Sequence, residues 1–369
     1  MRAELADRAQ HNQSPTRTHA DVHVAAAVDQ VGRVLGTQAF PADAAGYRAA
    51  LAWMRAHGEL AKVGVEGTGS YGAGLARYLA GCGVEVVEVI RPNRQARRQR
   101  GKSDAADAVA AAVAALSGEA SGVPKSRDGL AESIRALRVA RAGAVKARTQ
   151  AGNQLRDLIL TAPEQVRGQL AGLSRERQVD VAARFRPHDL AGPAAGVRAA
   201  MATVARRHQV LAAEIARLDA ALKELLTRAA PPGFLAKRGV ATQVAATLLV
   251  TTGDNPGRVR KEASFAALCG ASPVDASSGK QIRHRLNRGG DRQANSALWT
   301  IAMTRLAHDP RTKAYAARRT AEGKTKKEII RCLKRYIARE IYKALCRPQR
   351  PGMPYAPQVK QDLSPPALT

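Results

Sequence analysis

The sequence predicts an α/β domain, then a long helical arm, and then a mostly α-helical domain. Strand and helix patterns alternate between residues 22 and 90, which is typical of a parallel sheet. Two long helical patterns follow between residues 130 and 225. The chain is 45% hydrophobic but only 4% aromatic, and this richness in Ala, Val and Leu favours helices and thin sheets. At 369 residues it exceeds the roughly 250–300 at which a single core stops growing.

The first domain is predicted to span residues 21–118. Residues 1–20 are polar and aperiodic, which predicts a disordered arm. A β-hairpin is expected at residues 22–35 and a helix at 42–57, followed by a strand at 61–66, a helix through residue 80 and a strand at 84–90. Open α/β sheets carry their active crevice at the carboxyl ends of the parallel strands, and Glu66 lies at such an end.

The arm is predicted at residues 119–228. Its second helix carries apolar residues spaced four and three apart from Leu211 to Leu225, a heptad stripe that fits either the core of a helical hairpin or a dimer seam. The third domain is predicted at residues 229–347. It includes a helix-hairpin-helix-like segment from Gly239 to Leu249, although Ala241 stands where that motif carries a second glycine. Residues 348–369 are rich in proline and are predicted to be disordered.

Charge predicts a nucleic-acid partner. Lys and Arg number 59 against 31 Asp and Glu, a net charge of +28. The chain has no apolar run near the roughly 20 residues that cross a bilayer, and its start lacks a signal-peptide core, so a cytoplasmic, nucleoid-associated protein is expected. The four cysteines form no Cys-x-x-Cys pair, which argues against a zinc ribbon or a disulfide scaffold.

Two carboxylates lie within the most basic stretch. Asp104 and Asp107 occupy the first turn of a helix that Ser103 can cap, and their spacing of three places both on one helical face, where they can share a cation. A structural interpretation stays open, because acids in a first turn are favoured by the helix dipole at about 0.3–1 kcal/mol each. The cations expected to contact nucleic acid before this helix are Arg97, Arg98 and Lys102.

A second suggestive region is the loop around Ser277, Ser278 and Gly279. Ser, Gly and Arg are ordinary phosphate contacts, so the loop is either a phosphate-binding loop or a serine nucleophile beside charge-stabilising cations. The cations that follow the serines are Lys280, Arg283, Arg285 and Arg288.

Four motifs in this order resemble the DEDD-type transposases of bacterial insertion sequences, which are related to the Piv-type DNA invertases. The motifs are Val63-Gly-Val-Glu-Gly-Thr-Gly-Ser-Tyr-Gly72, Val87-Glu-Val-Ile-Arg-Pro92, Gly101-Lys-Ser-Asp-Ala-Ala-Asp-Ala108 and the Ser-Ser-Gly loop. The resemblance implies an N-terminal RuvC-like (RNase H-like) catalytic domain, a coiled-coil arm and a C-terminal transposase domain with a catalytic serine.

The resemblance also implies roles for individual residues. Glu66, Asp104 and Asp107 match the second, third and fourth acids of the family, which bind Mg²⁺. The nucleophile matches the serine pair, and Ser278 is favoured over Ser277. In the family the two half-sites are brought together in an oligomer on DNA, here a homodimer or homotetramer, and a structured bridge RNA pairs with donor and target DNA.

One departure concerns the first acid of the set. Arg17 stands at the expected position of the first Asp, and the residues before it do not resemble a strand, as though the first strand had been lost by truncation or frameshift. Asp21 lies four residues away and is not an adequate substitute. Two hypotheses therefore remain: an active transposase, or a degenerate, catalytically inactive copy that only binds nucleic acid. A basic structural protein is a third, and it predicts no dependence on Ser278.

Overall fold

The structure is a computed structural model that describes residues 3–5, 21–89, 103–186, 190–279 and 284–346. The chain divides into two compact units. The first consists of Met1–Asp128 and Gly253–Arg260, and the second consists of Gly129–Thr252 and Lys261–Thr369. This division groups the arm residues with the C-terminal helices.

The described part of the first unit contains five strands. β1 (Ala3–Leu5) is antiparallel to β2 (Val22–Val28), with Leu5 opposite Ala25, and β2 is antiparallel to β3 (Val34–Pro41). β4 (Val63–Glu66) and β5 (Val86–Val89) are parallel, with Glu66 opposite Val89. β1 also lies beside β4, so the strands follow one another as β3, β2, β1, β4 and β5.

The strand β1 corrects the expectation that no strand precedes β2. The sequence predicted a disordered arm over residues 1–20, whereas residues 3–5 pair with β2. Three residues are too few to show the alternation on which a strand prediction depends, and their pairing is set by a partner more than twenty residues away. Residues 6–20, which include Arg17, lie outside the described residues.

Among the described residues, three helices cover the two faces of these strands. α1 (Ala44–Ala56) and α2 (Ala73–Gly81) pack on the face that presents Val63 and Val65, around the buried Met54 and Leu79. α3 (Asp104–Leu116) packs on the opposite face against Val87 and Val89. The predicted elements between residues 42 and 90 are confirmed to within two residues at each described end.

A segment distant in sequence completes the first unit. Residues 253–260 include a short 3₁₀ helix, Pro256–Arg258, and they pack on residues 123–127. The Asn255 Oδ1 atom accepts a hydrogen bond from the Ser126 backbone N–H at 3.2 Å, and its Nδ2 atom donates to the Pro124 carbonyl at 2.9 Å. The sequence did not predict this contact.

The second unit is helical apart from one short hairpin in its described part. α4 (Leu130–Thr161) and α7 (Pro193–Ala229) pack along each other, with the short helices α5 (Glu164–Arg167) and α6 (Arg175–Ala183) between them in sequence. Ile215 and Leu222 of the heptad stripe are buried, and Arg141 of α4 forms a two-pronged ion pair with Asp219 of α7 at 2.6 and 3.0 Å. The stripe thus contributes to a helical hairpin within one chain.

The remaining helices form the C-terminal part of this unit. They are α8 (Thr242–Thr252), α9 (Glu262–Leu268), α10 (Arg292–His308), α11 (Pro310–Ala321) and α12 (Lys326–Leu345). α10 packs against α8, and α12 packs against α9, α10 and α11. The hairpin consists of β6 (Val274–Asp275) and β7 (His284–Arg285).

The turn before α8 packs against the helix α10. Gly239 has φ +87°, and a Cβ atom there would lie 3.0 Å from the Cα atom of Ile301. The glycine of the predicted helix-hairpin-helix turn therefore allows α10 to approach closely. Among the described residues, no helix is both long and apolar enough to cross a membrane.

Candidate active site

Glu66 lies at the carboxyl end of β4, on the sheet face that α3 covers. The position is fixed by Gly64, two residues earlier on the same face, where a Cβ atom would lie 3.0 Å from Ala115 Cβ and 3.1 Å from the Ala111 carbonyl oxygen. A side chain at position 64 would therefore push α3 away from the sheet. The close approach is what brings the acidic turn of α3 toward the strand ends.

The contacts of Gly64 with Ala111 and Ala115 allow the position of Asp107 along the sheet to be inferred. We infer that α3 begins at the carboxyl edge, because a helix that follows parallel strands and packs over them runs back along them. Asp107 precedes Ala111 by four residues, about 6 Å along a helix, and Glu66 follows Gly64 by two residues, about 6.6 Å along a strand. The fold thus brings the acids of both elements to one end of one face.

The first turn of α3 is held by its cap. Ser103 has extended backbone angles, and its Oγ atom accepts a hydrogen bond from the Ala106 N–H at 3.2 Å, as predicted. Asp107 is only 4% exposed, while Asp104 is half-buried. A nearly buried carboxylate is costly unless a cation or donors compensate it.

The chemistry of these acids suits a hard divalent cation, because Mg²⁺ prefers carboxylate oxygens. Within the described ranges, however, no group of three or more His, Cys, Asp and Glu side chains could hold a metal ion. Asp21, the acid nearest to the expected position of the first Asp, is exposed and precedes β2. Its carbonyl oxygen accepts a hydrogen bond from the Ala42 N–H at 2.7 Å. The acids therefore match a metal in the type of their donor atoms, whereas the described residues do not form a complete set of ligands.

The glycine-rich loop after Glu66 is braced from two sides. The buried Thr68 donates from Oγ1 to Glu88 Oε1 at 2.5 Å, and Arg127 donates from Nη2 to the Gly69 carbonyl at 2.8 Å. Arg127 has φ +55°, a conformation that is strained for a residue with a side chain. Sequence reasoning missed these supports; the only available signal was an acid and a threonine among apolar strand residues.

The serine loop is the tip of the β6–β7 hairpin. Asp275 pairs across the hairpin with His284, and its Oδ1 atom accepts from the Ser277 backbone N–H at 2.8 Å and from the Ser277 hydroxyl at 2.5 Å. These hydrogen bonds hold the pKa of Asp275 below its usual value, and the charge of His284 adds to the effect. Ser278 is exposed, and its hydroxyl hydrogen-bonds no described residue.

The base of this hairpin is tied to the helical core. A Cβ atom at Gly290 would lie 2.2 Å from the Gly270 backbone nitrogen, so the two ends of the loop are in close contact. Asn295 of α10 donates to the carbonyls of Cys269 and Gly270 at 3.0 and 2.9 Å. Its Oδ1 atom accepts from Lys334 Nζ of α12 at 2.9 Å. The hairpin therefore projects from a rigid base.

Some of the predicted nucleic-acid contacts fall within the described residues. Arg285, on β7, and Arg288, in the loop that follows it, are both exposed. The others, Arg97, Arg98, Lys102, Lys280 and Arg283, lie outside the described residues.

Comparisons with known proteins bear on both units. A family model described as transposase, of the DEDD IS110 type, matches residues 18–162, which include Glu66, Asp104 and Asp107. A second model, described as transposase of the IS116/IS110/IS902 family, matches residues 235–317, which include the serine hairpin. The two matches lie in order and together cover more than half of the chain.

The chain belongs to the IS110 family of transposases. One relative is the insertion element IS110 uncharacterized 43.6 kDa protein of Streptomyces coelicolor, which is 34% identical over 100 residues. That match covers 27% of this chain and 24% of the relative. The family assigned from the four sequence motifs is confirmed, and so is a mixed α/β N-terminal domain followed by a helical C-terminal part.

Proposed function

We propose that this IS110-family chain cleaves and exchanges DNA strands during transposition of an insertion sequence. The proposal is supported by the match to a DEDD-type transposase over the region that contains Glu66 and Asp107, together with the close contact of α3 at Gly64, which favours these two acids at one end of one sheet face. The serine hairpin, within the second matched region, supplies a separate exposed nucleophile. A net charge of +28 supports a nucleic-acid substrate.

The acids are proposed to act as the metal-binding half of the site. Glu66, Asp104 and Asp107 would hold Mg²⁺, which when bound neutralises charge on a transferring phosphoryl group. The chain's own contribution is to hold these carboxylates in place, through the close packing at Gly64 and the cap at Ser103. Thr68 and Arg127 hold the loop that directly follows Glu66.

The serine is proposed to act as the nucleophile in the second half of the site. Its Oγ atom would attack the phosphorus of a phosphodiester and lose its proton, while the bond from phosphorus to the departing strand breaks and that strand leaves as a hydroxyl. Ser278 is the better candidate because the Ser277 hydroxyl already donates to Asp275. Arg285 and Arg288, which are both exposed, would balance phosphate charge.

The remaining partners are proposals that rest on the resemblance. A homodimer or homotetramer would bring one chain's acids to another chain's serine, and a structured bridge RNA would select donor and target DNA. The large excess of Lys and Arg supports simultaneous binding of RNA and DNA.

The strand β1 changes where the first acid of the family's set is expected. The match of His19-Ala-Asp-Val-His23 to the family's segment after the first strand placed the first acid at Arg17, but β1 ends earlier, at Leu5, and lies beside β4. Asp7 follows β1 by two residues in the sequence. We propose Asp7 as the carboxylate that completes the set.

Covalent capture tests the proposal. The full chain is incubated with Mg²⁺, radiolabelled DNA of the element ends and the RNA encoded beside the element, and the protein–DNA adduct is separated on a denaturing gel. Wild type is expected to form the adduct, and Ser278→Ala, Glu66→Gln and Asp107→Asn are each expected to reduce it at least 100-fold. Ser277→Ala is the matched control and should retain it. An adduct that survives Ser278→Ala but not Ser277→Ala would reassign the nucleophile.

A second candidate is a copy that binds nucleic acid without catalysis. It is favoured by the lack, among the described residues, of three acids with metal-binding geometry. It predicts no adduct with any variant and unchanged DNA binding in Glu66→Gln. Asp7→Asn distinguishes the two candidates further, because loss of the adduct in that variant requires an active site that uses Asp7.

A further inference from the structure

A large basic cleft lies in the second unit, beside the base of the serine hairpin. Its volume is about 780 Å³, within the roughly 300–1,000 Å³ typical of ligand pockets. It is bounded by residues 270–273, by the strand β7 and by the facing parts of α11 and α12. Eight Lys and Arg side chains line it against one acid, Glu328. We propose that this cleft binds the backbone phosphates of an unpaired nucleic-acid strand that leads to the serine loop.

Lys334 is the central observation. It lines the cleft, yet its side chain is only 5% exposed, and its Nζ atom donates to the neutral Asn295 Oδ1 at 2.9 Å. Within the described residues no carboxylate forms an ion pair with it. A buried ammonium without a counter-ion is costly, and an anionic ligand removes that cost. Burial and the neighbouring charge of Arg331 both lower the pKa of Lys334, which agrees with a missing anion.

The nearby acids pair with groups other than Lys334, and Glu262 and Glu322 each pair with two of the arginines that line the cleft. Glu328 forms the capping box of α12 with Thr325, and these hydrogen bonds hold its pKa below its usual value. Glu262, from outside the cleft, pairs with Arg335 and Arg339. The cations near Lys334 that remain available are Arg331, which donates to the His284 carbonyl at 3.3 Å, and Arg285. The cleft therefore retains a net positive charge.

The shape and surroundings favour a strand over a small anion. The cleft is larger than a single phosphate needs, and Leu286, Pro273 and Tyr336 give it apolar surface for sugars or bases. Arg285 lines the cleft and belongs to the hairpin whose tip carries Ser278. A strand bound along the cleft would thus pass toward the serine. This last step rests on the proposed function, whereas phosphate binding in the cleft does not.

The test is the fluorescence anisotropy of a labelled 12-nucleotide strand, as DNA and as RNA, titrated with the full-length chain over a range of salt concentrations. Lys334→Gln and Arg331→Gln are each expected to weaken binding about tenfold, as for loss of one charge-assisted hydrogen bond. Each should also reduce the slope of log K against log salt by about 0.7, the value for one single-strand phosphate contact. Lys334→Arg keeps the charge and should bind within about threefold of wild type.

The control is Lys343→Gln. It removes one lysine charge from an exposed position in the last turn of the same helix, and it should change binding by less than about twofold. Arg331 is only half-buried, so Arg331→Gln tests the cleft even if Lys334→Gln does not fold. Thermal melting checks that both variants are folded. Loss of binding to either single strand supports the cleft. The proposal is overturned if both cleft variants bind the single strands as well as Lys343→Gln does. It is also overturned if they lose affinity for a duplex as much as for a single strand.

This readout is independent of strand cleavage. If Lys334→Gln loses strand binding while no chain forms a covalent adduct, the cleft stands and the transposase proposal fails. If wild type forms the adduct while Lys334→Gln binds strands normally, the cleft proposal fails and the transposase proposal stands.

Discussion

Gly64 is the residue on which the approach of α3 to the sheet depends. A Cβ atom there would meet Ala115 Cβ at 3.0 Å and both Val89 Cγ2 and the Ala111 carbonyl at 3.1 Å. These neighbours belong to a strand and a helix that are themselves buried, so they have little room to yield. The same small residue that tightens the core thereby allows the helix that carries Asp107 to lie close to the strand that carries Glu66.

Gly64→Ala is expected to lower the free energy of unfolding by about 1–3 kcal/mol through overpacking. The two tryptophans, Trp53 and Trp299, lie in different units, so urea unfolding of a Trp299→Phe background reports on the first unit through Trp53. Gly81→Ala is the matched control, because a Cβ atom at the end of α2 meets nothing within 4 Å. Equal unfolding midpoints for the two alanine variants would contradict the packing argument.

At the scale of the element, the cap of α3 links local structure to chemistry. Ser103→Ala removes the acceptor of the Ala106 N–H and should cost about 1 kcal/mol. The first turn, which carries Asp104 and Asp107, should then fray, so adduct formation should fall by more than global stability does. Hydrogen exchange at the amides of residues 104–108 measures the fraying directly.

Ser174→Ala supplies the comparison. Ser174 caps α6 in the same way, accepting from the Arg177 N–H at 3.4 Å, but it lies in the second unit, outside the acidic site. It should lose similar stability and keep the adduct. If the two variants lose activity equally, the cap of α3 has no particular role in the site.

The elements also show what a sequence can and cannot reveal. α3, its cap and the strand that ends at Glu66 were predictable, because caps, periodicity and acids within basic surroundings are local signals. The three-residue strand β1 carries too little pattern, and its pairing is set by β2. The isolated charge of Lys334 could not be found either, since a lysine on a basic helix looks solvent-exposed until Asn295 and the hairpin base are packed around it.

At the scale of the whole molecule, the first unit is discontinuous in sequence. Residues 253–260 lie in sequence between the two segments of the second unit, yet they belong to the first unit. There Arg258 donates to the Val123 carbonyl at 3.3 Å, and Asn255 forms hydrogen bonds with Ser126 and Pro124. Residues 118–128 contain Gly, Ser and Pro, a composition that predicts a linker. They are instead the surface on which this returning segment is held.

Asn255→Ala should therefore destabilise the first unit selectively. Loss of both hydrogen bonds leaves the Ser126 N–H and the Pro124 carbonyl without these partners, at an expected cost of about 1–3 kcal/mol. Urea unfolding followed by Trp53 in the Trp299→Phe background should shift to lower urea. The transition followed by Trp299 in a Trp53→Phe background should move less, each compared with its own single-tryptophan parent. Asn153→Ala, exposed on α4, should move neither. Equal shifts at both probes would mean that residues 253–260 stabilise the chain as one cooperative body.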